Sequence, residues 1–160
     1  MGQVYTMSDL HSQRNRWKQE GKSVVFTNGV FDILHRGHVD YLAKAKALGD
    51  ILIVGLNSDA SVRRIKGELR PIVRQEDRAF VLAGLASVDA VCLFEEDTPF
   101  NIISTIVPDT LVKGADYTLD TIVGRDVVES AGGSVRTIEF VPDRSTTSIV
   151  DTILHRFGKK

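Results

Sequence analysis

The chain has a single cysteine, Cys92, so it cannot form an internal disulfide, and a scaffold held by bridges is excluded. A reducing compartment, the cytoplasm, is the expectation. Cys92 lies in an apolar run, residues 90–94, and reads as a small buried side chain. Long hydrophobic runs are missing as well. No stretch approaches the ~18 residues of a membrane helix. The first six residues lack the charged and apolar regions of a signal peptide. No membrane partner is expected. Charge of one sign is also lacking. A formal net charge of −1 gives no field for nonspecific nucleic-acid binding, and no nucleic-acid partner is expected. With no linker, low-complexity tract or internal repeat, the 160 residues suit one domain.

Several site signatures are absent too. Gly21-Lys22-Ser23 resembles the end of a phosphate-binding P-loop, but Arg16 occupies the first glycine position and the tripeptide precedes a strand. The first strand-to-helix turn carries only Gly29 and Gly37, which is not G-x-G-x-x-G. A zinc site lacks ligands: Cys92 sits in a predicted strand, and His11 and His155 are near opposite chain ends.

What is present is an alternation of short apolar runs and amphipathic segments. Residues 1–22 are polar and read as a short helical lead-in; 23–157 form the domain and 158–160 a tail. Strands are predicted at 23–27, 51–56, 90–94, 110–113 and 134–140. Helices are predicted at 38–48, 59–65, 75–86, 100–106, 122–131 and 147–157. Gly49 reads as a C-cap of the first of these, Phe80, Leu82 and Leu85 as core residues of the third, and Ser148 with Asp151 as a capping box of the last. Strands alternating with helices imply an α/β fold, a Rossmann-like parallel sheet covered on both faces. Such sheets bind ligands beyond the carboxyl ends of their strands.

The informative segment is the first turn, Thr27 to His38. His35 and His38 are three residues apart, so at a helix start they share a face. Gly37 between them permits close approach of a ligand to the backbone. Free amides and the positive helix end favour phosphate, and two imidazoles there can donate to oxygens that gain charge during transfer. Lys113 ends a strand where such sheets place ligand groups, and Gly114 again allows close approach. Lys66 belongs to a basic cluster with Arg63, Arg64 and Arg70 on the expected ligand side.

The ordered set Gly29-Val30-Phe31-Asp32, His35-Arg36-Gly37-His38, Gly49-Asp50, Asn57-Ser58-Asp59, Arg78, Val112-Lys113-Gly114, Asp116-Tyr117 and Ser145-Thr146-Thr147 resembles the H-x-G-H nucleotidyltransferase superfamily, cytidylyltransferase-like members in particular. Residues 57–61, the pairs Lys66-Gly67 and Arg70-Pro71, and residues 94–99 and 113–117 are similar to the adenylyltransferase domains of ADP-heptose synthases. Those domains often follow a sugar kinase domain; the 22 polar residues ahead of the first strand suggest a stand-alone transferase here.

The resemblance implies that His35 and His38 contact the triphosphate and stabilise the transition state, with Lys113 as a third catalytic group. It implies nucleotide contacts by Asn28, Gly29, Val30, Phe31, Asp32, Gly37, Lys66 and the Ser145-Thr146-Thr147 triplet. It implies acceptor contacts by Arg70, Arg78, Gly114 and Asp116. Asp32 has a plainer alternative as a helix N-cap, Arg78 and Lys46 as surface residues, and the triplet as caps. Relatives place an arginine and a longer turn before the triplet, which leaves the role of Arg144 open.

The implied reaction is transfer of AMP from ATP to a sugar 1-phosphate with loss of pyrophosphate. Mg²⁺ enters with ATP, held by phosphate oxygens and water rather than by a protein cage. A homo-oligomer is expected. Two alternatives stand beside it: a cytidylyltransferase acting on a polyol or amino-alcohol phosphate, and a non-catalytic nucleotide-sensing module on the same fold.

Overall fold

A computed structural model describes residues 1–141 and 145–158. Its centre is a six-stranded sheet in the order β1-β4-β3-β2-β5-β6, every neighbouring pair parallel. The strands are β1 (Gln3–Tyr5), β2 (Val24–Gly29), β3 (Ile51–Asn57), β4 (Ala90–Phe94), β5 (Thr110–Gly114) and β6 (Ser134–Ile138). The helices are α1 (Met7–Gln19), α2 (Arg36–Lys46), α3 (Asp59–Lys66), α4 (Gln75–Ala83), α5 (Phe100–Ile106), α6 (Arg125–Ser130) and α7 (Thr146–Phe157). This is the expected Rossmann-like α/β domain.

Burial on both faces explains the continuous apolar runs of β2, β3 and β4. Along β2, Val24 and Phe26 enter one core with Leu10 and Trp17 of α1, Ile102, Ile103 and Ile106 of α5, and Val128 of α6. Val25 points the other way, with Leu42 and Ala45 of α2 and Leu82 of α4. Fully burying one such side chain stabilises the fold by roughly 1.5–3 kcal/mol. Where close approach is needed the sequence supplies glycine: a Cβ on Gly55 would lie 2.7 Å from the Phe26 ring.

Several local expectations are corrected. The lead-in contains strand β1 as well as a helix; β1 pairs with β4, and Leu10, Trp17 and Arg14 of α1 are buried. Gly49 is not the C-cap of α2, which is Ala47; Gly49 is a packing position, where a Cβ would meet Val25 at 2.8 Å. Phe80 is 65% exposed, because Ala79, Leu82 and Ala83 form the inward face of α4. The helix predicted over 122–131 is present but shorter, as α6, and a 3₁₀ turn, Leu119–Thr121, precedes it. The cap of α7 is Ser145, whose hydroxyl accepts from the Ser148 N–H at 3.0 Å, not Ser148 with Asp151. Among the described residues, no helix is long and apolar enough to cross a membrane.

After β2 the chain adds β3 on one side of it, and later adds β5 on the other. That reversal leaves a crevice at the carboxyl ends of β2 and β5. The crevice holds the site.

Candidate active site

A cavity of about 650 Å³ opens over the carboxyl ends of β2, β3 and β5. Its floor is the turn after β2. Asn28, Gly29, Val30 and Phe31 line it, and Phe31 takes the left-handed φ of 45°. The Phe31 ring folds back over Gly29, where a Cβ would sit 2.9 Å from it. That turn delivers His35 as the N-cap of α2, with His38 one turn further. The two imidazoles stack with centroids 3.9 Å apart and planes 23° apart, and the Phe31 ring meets His38 edge-on at 5.3 Å. The three-residue spacing therefore does put both histidines on one face. His38 lines the main cavity, while His35 and Gly37 line an adjoining hollow with Ser145 and Thr146. Burial, with the neighbouring His35 second, pushes the His38 pKa down to about 4. His38 is thus neutral at pH 7 and donates from one ring nitrogen.

Lys113 rises from the end of β5 and is 7% exposed. Its ammonium donates to Asn28 Oδ1 and stands 5.5 Å from the centre of the Tyr117 ring. Desolvation pushes its pKa down to about 8, and Asp116 opposes that shift. Gly114 follows because nothing larger fits: a Cβ would lie 2.1 Å from the Phe140 ring and 2.5 Å from Asp116. Phe140 in turn packs on Tyr41 of α2, whose hydroxyl bonds Thr27 at 2.8 Å.

The start of α7 closes this side. Thr146 Oγ1 donates to Ile33 O at 3.2 Å, tying α7 to the β2–α2 turn, and Thr146 and Thr147 line the cavity. Ser145 is both a helix cap and a wall of the smaller hollow. Two helix starts and a lysine thus converge on one space, an arrangement suited to several phosphate groups. Arg144 lies outside the described residues.

The opposite wall is the end of α3 and the segment after it, with Lys66 and Arg70 lining the cavity. Asp32 holds it. The Asp32 carboxylate accepts from Arg70 Nε at 2.6 Å, Ile72 N at 2.9 Å and Val73 N at 2.8 Å. Burial alone would raise its pKa; the Val73 and Ile72 amides and the Arg70 guanidinium outweigh that and hold it below the usual carboxylate range. Asp32 therefore does not cap α2. It anchors the loop that carries Arg70.

Arg78 does not line the cavity. It is 2% exposed, with Nε on Val73 O at 2.9 Å, Nη1 on Val30 O at 2.6 Å and Asn57 O at 3.0 Å, and Nη2 on Asp59 at 2.6 Å. The expected acceptor contact and the surface alternative are both replaced by a buried tie behind the site. Lys46 pairs with Asp89 at 2.6 Å and also donates to Asp50 O. Sequence reading missed Asn57, Tyr41 and Phe140 as lining residues. Tyr41 had a signal, being three residues after His38 on the same helix.

Comparison with known proteins gives the same picture. The family model described as "Cytidylyltransferase-like" matches residues 26–151. The bifunctional protein HldE of Geobacter sulfurreducens is 59% identical over 143 residues, 89% of this chain and 29% of that protein. HldE of Mesorhizobium japonicum is 61% identical over 134 residues, 84% of this chain and 27% of that one. The chain thus spans under a third of the length of these relatives. The crystal structure of the lipopolysaccharide core biosynthesis protein of Thermoplasma volcanium superposes with a TM-score of 0.62 at 31% identity, covering 76% of this chain and 98% of that one.

Proposed function

Since the chain belongs to the cytidylyltransferase-like family, we propose that it transfers AMP from ATP to a sugar 1-phosphate, D-glycero-D-manno-heptose 1-phosphate, giving ADP-heptose and pyrophosphate. The observation that carries the transfer reading is the stacked His35–His38 pair at the start of α2, across the crevice from Lys113. Support for a heptose acceptor comes from similarity: residues 57–61, 94–99 and 113–117, and HldE relatives at 54–61% identity.

The cavity divides by chemistry. The side with two helix starts, Lys113 and the aromatic rings of Phe140 and Tyr117 suits a nucleoside triphosphate. The side with Lys66 and Arg70 suits a single phosphate on a hydroxyl-rich acceptor, which moves Lys66 from the nucleotide contact expected of it to the acceptor. An acceptor phosphate oxygen attacks the α-phosphorus, the new O–P bond forms, and the bond to the β-phosphate oxygen breaks. The acceptor is already an anion, so no strong general base and no covalent enzyme intermediate is needed. His35, His38 and Lys113 supply donors and charge to the oxygens that become more negative. Asp32 and Asp97 are each engaged by an arginine, and Asp116 faces Lys113, so the carboxylates of the cavity suit a cation that arrives on phosphate. Mg²⁺ carried by ATP neutralises the leaving pyrophosphate.

The reading places the protein in the cytoplasm as a self-associating chain. Among the described residues α7 buries none, and Ile153, Leu154 and Phe157 are exposed, an apolar strip for a second copy to cover; sedimentation at several concentrations tests this. The family's description also favours a second reading, CTP with a polyol or amino-alcohol phosphate. A matrix of ATP and CTP against heptose 1-phosphate and glycerol phosphate, read by pyrophosphate release, decides. The highest kcat/KM for ATP with heptose 1-phosphate supports the first reading. CTP with glycerol phosphate supports the second, and no turnover with any pair leaves a nucleotide-sensing module.

A further inference from the structure

Asn57 ends β3 and lines the cavity, yet it is only 4% exposed. Its backbone is held, since its carbonyl accepts from buried Arg78. Its carboxamide is held as well, through a short relay. The Ser61 hydroxyl, completely buried, lies 3.1 Å from Glu96 O and 3.0 Å from the Asn57 amide nitrogen. A carbonyl oxygen only accepts, so the one Ser61 proton goes to Glu96 O. Ser61 Oγ must then accept from Asn57, and only the NH₂ of a carboxamide donates. Proton counting therefore fixes the flip, an assignment that heavy-atom positions alone leave ambiguous. Nδ2 faces Ser61, which leaves Oδ1 as the acceptor that this cavity-lining carboxamide has to offer.

We propose that Asn57 is a specificity-determining residue for the acceptor, with Oδ1 accepting a hydrogen bond from a sugar hydroxyl, and that Ser61 is the positioning residue that holds it in this orientation. The inference rests on the sugar-phosphate reading above and deepens it. A carboxamide oxygen repels phosphate, so it does not serve the anionic part of the ligand. It does suit the hydroxyls of a ligand whose phosphate is held by Lys66 and Arg70, which line the same cavity. Because Asn57 is only 4% exposed, a bound acceptor that lacks the partner hydroxyl leaves Oδ1 unsatisfied, which is how such sites discriminate strongly. The relay matters because a freely turning amide would present its NH₂ half of the time.

The test is steady-state pyrophosphate release with ATP and heptose 1-phosphate varied in turn, on wild type, Ser61→Ala, Asn57→Ala and the double variant. A panel of deoxy-sugar 1-phosphates on wild type needs no variant to fold. Expected are an acceptor KM raised roughly tenfold in each single variant with the ATP KM unchanged, a double variant no worse than Asn57→Ala, and one deoxy analogue that is poor for wild type but suffers no further loss in Asn57→Ala. An unchanged acceptor KM, a raised ATP KM, additive single effects, or a deoxy panel with no discriminated position would overturn the assignment while wild type remains active. A wild type that releases no pyrophosphate with any sugar phosphate overturns the underlying reading and this one with it.

Discussion

Replacing Arg78 with methionine keeps much of the buried stem and removes the guanidinium that holds three chain segments, at Val30, Asn57 to Asp59, and Val73. Three carbonyls, of Val30, Asn57 and Val73, and the Asp59 carboxylate lose their donor. Hydrogen bonds from a charged group contribute roughly 1.5–3 kcal/mol each, and removing one partner of a buried ion pair costs about 3–5 kcal/mol. The Asp59 side chain keeps 20% exposure, so water takes up part of the loss and the lower figure, about 3 kcal/mol, is expected. That is a large share of a domain's typical total of roughly 5–15 kcal/mol. Urea unfolding followed by circular dichroism reads it as a lower midpoint at unchanged slope. Arg78→Lys keeps the charge but not the fork and should recover only part of the loss. Turnover should fall as well, since Val30 and Asn57 both line the cavity. A loss below about 1 kcal/mol together with a raised acceptor KM would refute the tie and restore Arg78 as a ligand contact.

Other perturbations act on the chemistry. His35→Ala or His38→Ala should lower kcat by roughly 10²-fold or more, about 2.7–4 kcal/mol of transition-state stabilisation, with unfolding unchanged; near-normal turnover at saturating substrate in both would remove them from catalysis. Lys113 should respond to pH in a defined direction. Its folded pKa of about 8 lies below the ordinary 10.5, so between those values the unfolded chain binds the extra proton and the residue's contribution to stability rises with pH. Activity should fall over the same rise as the cation is lost. Lys113→Met should flatten the stability slope and abolish most turnover, whereas Lys44→Ala, paired to Asp40 on the surface, should change little. Turnover should stop in EDTA, return with Mg²⁺ and survive selective removal of zinc; stoichiometric zinc whose loss inactivates the protein would contradict a cation carried by phosphate.

Much of the fold was legible because burial on both faces writes itself into composition. The runs of β3 and β4 and the helix at α5 are bounded by glycine, proline or acidic residues and fall where periodicity puts them. Three of the misses share one cause, contacts distant in sequence. Strand β1 is three residues long, too short for a pattern, and exists through its pairing with β4. Arg78 in an amphipathic helix reads as solvent-facing; only the carbonyls of Val30, Asn57 and Val73, which meet behind the cavity, make it a core residue. Asp32 reads as a helix cap by position, but its partners are about 40 residues on. The histidine pair and Lys113 were legible because their spacing and their places at a helix start and a strand end are local facts. Asn57 was not, since its orientation depends on a serine and a carbonyl from two other segments.

The central claim is that AMP leaves ATP for the acceptor phosphate. Incubating the protein with Mg²⁺, heptose 1-phosphate and ATP labelled at either the α- or the γ-phosphorus tests it most directly. The account predicts that α-label appears in ADP-heptose and γ-label in pyrophosphate, in equal amounts, and that both fail to appear with His38→Ala. Label from the γ-position in a sugar bisphosphate, or α-label that stays in ATP at every acceptor concentration, would contradict it.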